Sequence, residues 1–417
     1  MGLKLSKSYY HPANSRILNN IFLYIHTNSF LTMKYNLNPV QEAELKDKKV
    51  IMRVDYDVVK DGKIKDDDRL EKSLPTIKFI IESGAKQIIL IAHNGKPKGE
   101  NIPSLSLKPI KPWLDKHLPE EVGFIDDCMK GTLPDAPKVL LLENLRFYGE
   151  EKVNNPDFAK KLASYGDIYV GNAFATAHRE HASMMIPTHC DIPSYAGLIL
   201  QREVEMLSKV TDSCDHPFHA IVGFAKIGDK IQVLENLLSK TDKLLIGGAV
   251  VFTFYKSMGK EVGNSLVDDD HLDTAKALLD KYGDKIVLPE DIVIADSIKG
   301  ENPTTVAWDA IPADKIGLDL GAQTVAKYIQ TLEDAKTVFW NGPVGVFEVK
   351  PFDEATNKIA QYLARTDKTT IIGGGDTTKA MKNAGVYEKL THVSTGGGAS
   401  LEFIQGKDLP GLRVLCR

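Results

Sequence analysis

Twice along this chain, short β-branched or leucine-rich runs alternate with amphipathic stretches, and that rhythm limits the fold more than any other feature. Residues 49–54 and 87–92 read as buried strands, with a helix over 70–82 between them, and 139–142 and 168–170 add two more. Beyond about residue 217 the rhythm restarts, with strands at 220–222, 243–246, 286–288, 337–339 and 369–372 and helices at 270–281 and 354–363. Alternation of this kind predicts an α/β fold, with parallel sheets carrying helices on both faces. A length of 417 residues predicts two domains. Residues 197–209 carry no loop chemistry and read as a stiff helical connector between them. Ligands of such sheets sit outside the carboxyl ends of the strands, and the unusual residues of this chain cluster there.

The second half collects glycine turns. In Thr369-Thr370-Ile371-Ile372-Gly373-Gly374-Gly375-Asp376-Thr377 a strand feeds three glycines and then the first turn of a helix. Glycines let the backbone approach an anion, and a new helix offers free N–H groups and the positive end of its dipole. Asp376 is placed to hold a magnesium ion and Thr377 to donate to an oxygen; a plain strand–turn–helix junction is the competing reading. Further turns occur at Gly223 to Lys230, Gly247-Gly248-Ala249, Gly317 to Gly321, Trp340 to Glu348 and Ser394 to Ser400. Gly223 and Gly228 have P-loop spacing, but Asp229 stands where that motif needs Lys, so the Walker reading is rejected. Five such turns read as belonging to one sheet, with Lys226 and Lys230 nearby, and favour a nucleotide cradle.

The first half instead collects polar and basic groups after its strands: Asp55, Asp57, Arg69, His93, Lys96, Arg146, His178 and Arg179. Converging, they would form a basic pocket for a small anion, with arginines for two-pronged oxygen contacts. His93, His178 and His181 have no partner at metal-ligand spacing. A net charge of -4 gives no case for nucleic acid, so any anion site has to be local. Cys128, Cys190, Cys214 and Cys416 are scattered, which predicts free thiols in a reducing, cytoplasmic compartment. No run approaches the 18 or so apolar residues of a spanning helix. Residues 1–32 lack Asp and Glu and carry Lys4, Lys7 and Arg16. They fit a transit-like extension or a loose myristoylation pattern at Met1 to Ser6, or else a tail outside the native fold with the natural start at Met33.

With these stretches in hand, the chain resembles the phosphoglycerate kinase family. The residues that carry the likeness are Leu142-Glu143-Asn144-Leu145-Arg146-Phe147-Tyr148, Ala173 to Arg179, Trp340 to Glu348, Gly373 to Thr377 and His392 to Glu402, in the family's order, and the likeness runs from about Lys34 to Leu412. It implies two Rossmann-like domains joined by a helical hinge, with the last residues returning to the first domain. The boundaries expected are an extension to residue 33, a triose-acid-binding domain over 34–196, a connecting helix over 197–210, a nucleotide-binding domain over 211–400 and a returning segment over 401–417. The implied activity is reversible phosphoryl transfer between 1,3-bisphosphoglycerate and MgADP, giving 3-phosphoglycerate and MgATP, in a cytoplasmic monomer with no membrane partner.

By the same resemblance Asp55, Arg69, His93, Arg146 and Arg179 hold the triose acid, with Asp57 and Lys96 at further contacts. Lys226, Lys230, Asn341, Pro343, Glu348, Gly373, Gly374, Gly375, Asp376 and Thr377 hold the nucleotide, ATP or ADP, with Asp376 nearest Mg2+ and Gly317 and Leu318 lining the adenine site. Arg69, Lys226, Gly374 and Gly397 lie at the transferred group. Several positions depart from the family's pattern: Asp57 for Asn, Lys96 for Arg, Gly171-Asn172 for Asn-Asp, Phe224 for Gly and Ala249 for Gly. Asp57 adds a negative charge near an anionic acceptor, which at 4 Å and an effective dielectric near 20 is about 4 kcal/mol before relaxation. These departures leave open a diverged paralogue with another acceptor or purine nucleotide, or a non-catalytic binding protein.

Overall fold

Residues that are apolar on both faces of a strand force a sheet to be covered on both sides, and the computed structural model, which describes residues 34–417 except Lys130, is built on two such sheets. The extension proposed for residues 1–33 lies outside the described residues. The first half supplies β1 (Lys49–Val54), the β2 (Val59–Lys60) and β3 (Lys63–Ile64) hairpin, β4 (Gln87–Ile91), β5 (Val122–Ile125), β6 (Val139–Leu142), β7 (Ile168–Asn172) and β8 (Ser194–Ala196). Six of these form an all-parallel sheet in the order β5-β6-β4-β1-β7-β8. The second half supplies β9 (Phe218–Gly223), β10 (Lys243–Gly247), β11 (Ile286–Val287), β12 (Asp291–Ala295), β13 (Thr304–Ala307), β14 (Ile316–Leu320), β15 (Thr337–Asn341), β16 (Thr369–Gly373) and β17 (His392–Val393). Its parallel sheet runs β11-β10-β9-β15-β16-β17.

Counted in chain order within its sheet, the second half is 3-2-1-4-5-6, the order of dinucleotide-binding sheets. The first half departs from it as 3-4-2-1-5-6, because β6 inserts between β4 and β5. Both sheets reverse direction beside their first strand, and that is where a crevice opens at the carboxyl ends. In the first sheet the last register pair there is Val54 with Asn172; in the second, Val222 pairs with Asn341.

The predicted strands are all present. The short β5, β8 and β17 were missed, since two to four residues without a long apolar run give no periodic signal. The larger miss is the antiparallel sheet β13-β12-β14 inserted between β11 and β15. Gly317 to Leu320 lie in β14, so that stretch is a strand of a separate sheet and not a turn of the parallel one. A side chain at Gly317 would overlap the ring of Phe252.

Six helices matter to the site: α1 (Asp68–Glu82), α2 (Leu198–Thr211), α3 (Val250–Ser257), α4 (Glu354–Leu363), α5 (Gly375–Asn383) and α6 (Gly398–Ile404). The connector α2 is pinned at its start to the first half. Asn172 Oδ1 accepts from the Ile199 N–H (3.2 Å) and the Thr76 hydroxyl (3.2 Å), and Thr76 Oγ1 accepts from the Leu198 N–H (3.1 Å). Further along α2, buried Glu203 accepts from His392 Nε2 (3.0 Å) and the Thr395 N–H (3.0 Å), fastening the loop after β17. The chain then returns: Gly411 donates to Ala177 O (2.9 Å), Asn38 to Leu415 O (2.8 Å) and Arg417 to Asn36 O (3.0 Å).

At the reversal of the second sheet the backbones of Gly223 and Gly342 touch. A methyl group on Gly223 would overlap the Pro343 carbonyl, and one on Gly342, at φ +91°, would overlap the Gly223 carbonyl. No flexible side chain can yield there. Gly223→Ala is expected to destabilise the fold by about 2–3 kcal/mol, read as a lower urea midpoint with an unchanged slope.

Candidate active site

The reversal of the first sheet is lined with cations. Arg69, in the first turn of α1, donates to Asp55 Oδ1 at 3.1 Å, just past the end of β1. Asp55, Arg69, Lys72, Asn172, Phe174 and Thr395 enclose a narrow slot between them. Within β1 lies Arg53, fully buried, whose Nε donates to Ser183 Oγ (2.9 Å) and whose Nη2 meets His93 Nδ1 (2.8 Å). Sequence reasoning passed over Arg53, although a charged residue inside an otherwise apolar strand was the available signal.

The Gly95 peptide is gripped from both sides. Asp57 Oδ1 accepts its N–H (2.8 Å), and Arg146 Nη1 donates to its carbonyl (2.7 Å). Asp57 thus orders the turn that follows His93; its Oδ2 stands 3.7 Å from His93 Nε2, and its side chain is 41% exposed, so water screens much of the charge penalty. Lys96 and Arg179 are exposed. Burial holds the His93 imidazole well below its usual range, and Arg53, Arg146, His181 and Arg69 push the same way. Burial, then Arg146, Arg53 and Arg179, bring His181 down to about 3. The histidines are therefore neutral at pH 7, and the positive charge here is carried by guanidinium groups. Arg146 Nε is buried without a hydrogen-bond partner among the described residues, as fits a pocket that takes an anion.

The second reversal is lined with backbone. Gly374, at φ +92°, precedes α5, and the exposed Gly375 and Asp376 form its first turn. Thr377 is fully buried and its Oγ1 accepts from the Gly342 N–H (2.7 Å), so it ties the start of α5 to the loop after β15 while its own O–H remains a donor. Beside the glycines, Asn341 Nδ2 is buried and unpartnered among the described residues; side chains at Gly373 or Gly374 would come within 3.0 Å and 3.1 Å of it. Lys226 and Glu348 are exposed, and Lys230 and Pro343 are half-buried. Leu318 is buried, and its carbonyl accepts from the Val346 N–H (2.9 Å), which joins β14 to the loop after Asn341. Phe224 is 6% exposed and belongs to the apolar core, so its ring does not stand out into solvent. Ala249 is half-buried ahead of α3.

The loop at Ser394 to Gly398 reaches from the second sheet toward the first. Lys72 Nζ donates to Val393 O (3.0 Å). A side chain on Gly396 would meet the Phe174 ring, and one on Gly398 would lie 3.7 Å from His178 Nε2. Gly397, at φ +51°, has open space beside it.

The phosphoglycerate kinase family model matches residues 40–407. A phosphoglycerate kinase from Picosynechococcus sp. is 45% identical over 394 residues, covering 92% of this chain and 99% of that protein. A cytosolic phosphoglycerate kinase from Triticum aestivum is 46% identical over 401 residues, with 92% and 99% covered. The solved structure of phosphoglycerate kinase from Coxiella burnetii superposes with a TM-score of 0.84 at 37% identity, covering 91% of this chain and 98% of that one.

Beneath the loop after Asn341 lies an acid that sequence reasoning missed. Asp319 Oδ2 accepts from the Ala355 N–H (3.0 Å) in the first turn of α4, while Oδ1 abuts Gly345 and has no partner among the described residues. Burial pushes its carboxyl up to about 8, with Asp353 and Glu354 adding to the rise. The folded state then keeps a proton that the unfolded chain loses near pH 4. Stability from that proton is full below about pH 4 and is lost as pH rises through about 8. Asp319→Asn is expected to flatten the fall of the urea midpoint between about pH 5 and 8, by on the order of 2–4 kcal/mol relative to the parent. Equal slopes in the two proteins would mean the carboxyl is already ionised.

Proposed function

The chain belongs to the phosphoglycerate kinase family, and we infer that its two strand-end clusters act as one site for reversible phosphoryl transfer between 1,3-bisphosphoglycerate and MgADP, giving 3-phosphoglycerate and MgATP. The enzyme is a phosphotransferase with a carboxyl acceptor. The observation that carries the reading is the pairing itself: a guanidinium-lined crevice at one sheet reversal, a glycine-lined one at the other, and the Ser394 to Gly398 loop touching the first from the second.

In the direction of ATP use, a carboxylate oxygen of the acceptor attacks the γ-phosphorus and the bond to the ADP oxygen breaks. A carboxylate is already ionised at pH 7, so no general base is needed. The protein has to align the partners and stabilise charge on the phosphoryl oxygens. Asp55, Arg69, His93, Arg146 and Arg179 take the triose acid, with Asp57 and Lys96 at its edge and Arg53 supporting from beneath. Neutral His93 can donate a hydrogen bond without adding charge. Lys226, Lys230, Gly317, Leu318, Asn341, Pro343, Glu348 and Gly373 to Thr377 form the nucleotide side. Arg69, Lys226 and the amides near Gly374 and Gly397 meet the moving group. Asp376, exposed beside the glycine cradle, would hold Mg2+, which when bound neutralises charge on the phosphate oxygens.

Half-sites on separate lobes require a closing motion, which also excludes water and so prevents hydrolysis. The corresponding division is 34–196, 197–210, 211–400 and a returning 401–417, in a cytoplasmic monomer. A coupled assay with 3-phosphoglycerate and either MgATP or MgGTP tests the reading, and turnover with MgATP is expected. Arg69→Ala should lower kcat by about 10²–10³-fold, as expected for the loss of one group that stabilises transition-state charge. Asp57→Asn, which keeps an oxygen for the Gly95 N–H, should lower KM for 3-phosphoglycerate and leave KM for MgATP unchanged. A raised KM would instead make the Asp57 charge part of the loop's order.

A further inference from the structure

Next to the first cluster, a second set of contacts joins the two helices whose first turns carry Arg69 and Asp376. Tyr387, on a short turn after α5, donates its hydroxyl to Asp68 Oδ1 at 2.5 Å. Asp68 is the first residue of α1, and its side chain is 15% exposed. Lys382, in the last turn of α5, pairs with Asp66 Oδ2 at 2.8 Å, and Asp66 Oδ1 in turn accepts the Asp68 N–H at 2.9 Å. Two ammonium groups approach the Tyr387 ring, Lys72 at 5.4 Å and Lys382 at 5.2 Å from its centre. Lys72 also reaches Asp68 Oδ2 at 3.3 Å and, as above, the Val393 carbonyl. Both acids of this cluster therefore flank the start of the helix that carries Arg69, and both of their new partners come from the other half of the chain.

The short O–H···O⁻ bond is charge-assisted and is the strong member of the set, while the Lys382–Asp66 pair, with side chains 35% and 58% exposed, adds little to folding stability. The value of such contacts lies in geometry. A helix moves as a stiff rod, so holding Asp68 holds Arg69, its neighbour. Holding the far end of α5 orients the glycine-rich turn at its start.

We propose that Tyr387 and Lys382 are positioning residues for phosphoryl transfer: they dock the first turn of α1 onto the end of α5 and so set Arg69 against the Gly373 to Asp376 turn. The proposal rests on the kinase reading given above. Neither residue touches the substrate pockets, so their loss should slow the aligned step and leave ground-state binding alone.

The test is one steady-state series with 3-phosphoglycerate and MgATP on the parent, Tyr387→Phe, Lys382→Ala and Lys382→Arg, with melting temperatures taken alongside. Tyr387→Phe and Lys382→Ala are expected to lower kcat by on the order of tenfold, with both KM values within about twofold and melting temperatures within a few degrees, as for a misalignment remote from the chemistry. Lys382→Arg, which keeps the ion pair, should restore most of the rate. Parental kcat in Tyr387→Phe and Lys382→Ala, or losses confined to KM or to stability, would overturn the positioning role while leaving the kinase reading intact. No turnover by the parent would bring down the kinase reading and this proposal with it.

Discussion

Burying a strand on both faces leaves only its carboxyl end free for polar chemistry, and everything functional in this chain follows from that restriction. β1, β4, β6 and β7 are buried almost throughout, as are β9, β10, β15 and β16. Arginines, histidines and glycines then collect where the strands stop, and ligands of such sheets sit where strand order reverses. One sheet fills its gap with guanidinium groups, the other with bare backbone. On the reading proposed above, the two solutions would suit different parts of a phosphoryl transfer: guanidinium groups for a small anion, and bare backbone for polyphosphate approaching main-chain N–H groups.

The electrostatics of the first gap depend on arginine not titrating. His93 and His181 lie among Arg53, Arg146 and Arg179 and are kept neutral by burial and by those charges. They serve as shaped hydrogen-bonding surfaces, and the field stays constant across the pH range in which histidine normally changes state. Asp57 enters the same balance from the edge. It is tied to the Gly95 N–H and half open to water, a milder presence than its bare charge suggests.

Much of this was legible in the sequence, for identifiable reasons. Strands with long apolar runs and helices with clear periodicity were readable because burial writes itself into composition; β5, β8 and β17 were too short to do so. The antiparallel insert escaped because Gly317 looked like turn chemistry when its lack of a side chain instead makes room for Phe252. Thr377 has a partner that the sequence did not show, since its hydroxyl oxygen accepts the Gly342 N–H. Arg53 and Asp319 were hidden inside strands, where one charged letter among apolar ones is easily taken as an edge residue. What the sequence could not carry was which partner each polar atom finds, since that depends on packing between segments up to hundreds of residues apart, as with Asp66 and Lys382.

The returning tail has a mechanical consequence. Because residues 409–417 lie against Asn36, Asn38 and Ala177, the second sheet is joined to the first by two passages of chain, not one. α6, on the way back, packs against α2, on the way out. Two strands of chain laid side by side resist twisting of one sheet against the other more than they resist bending.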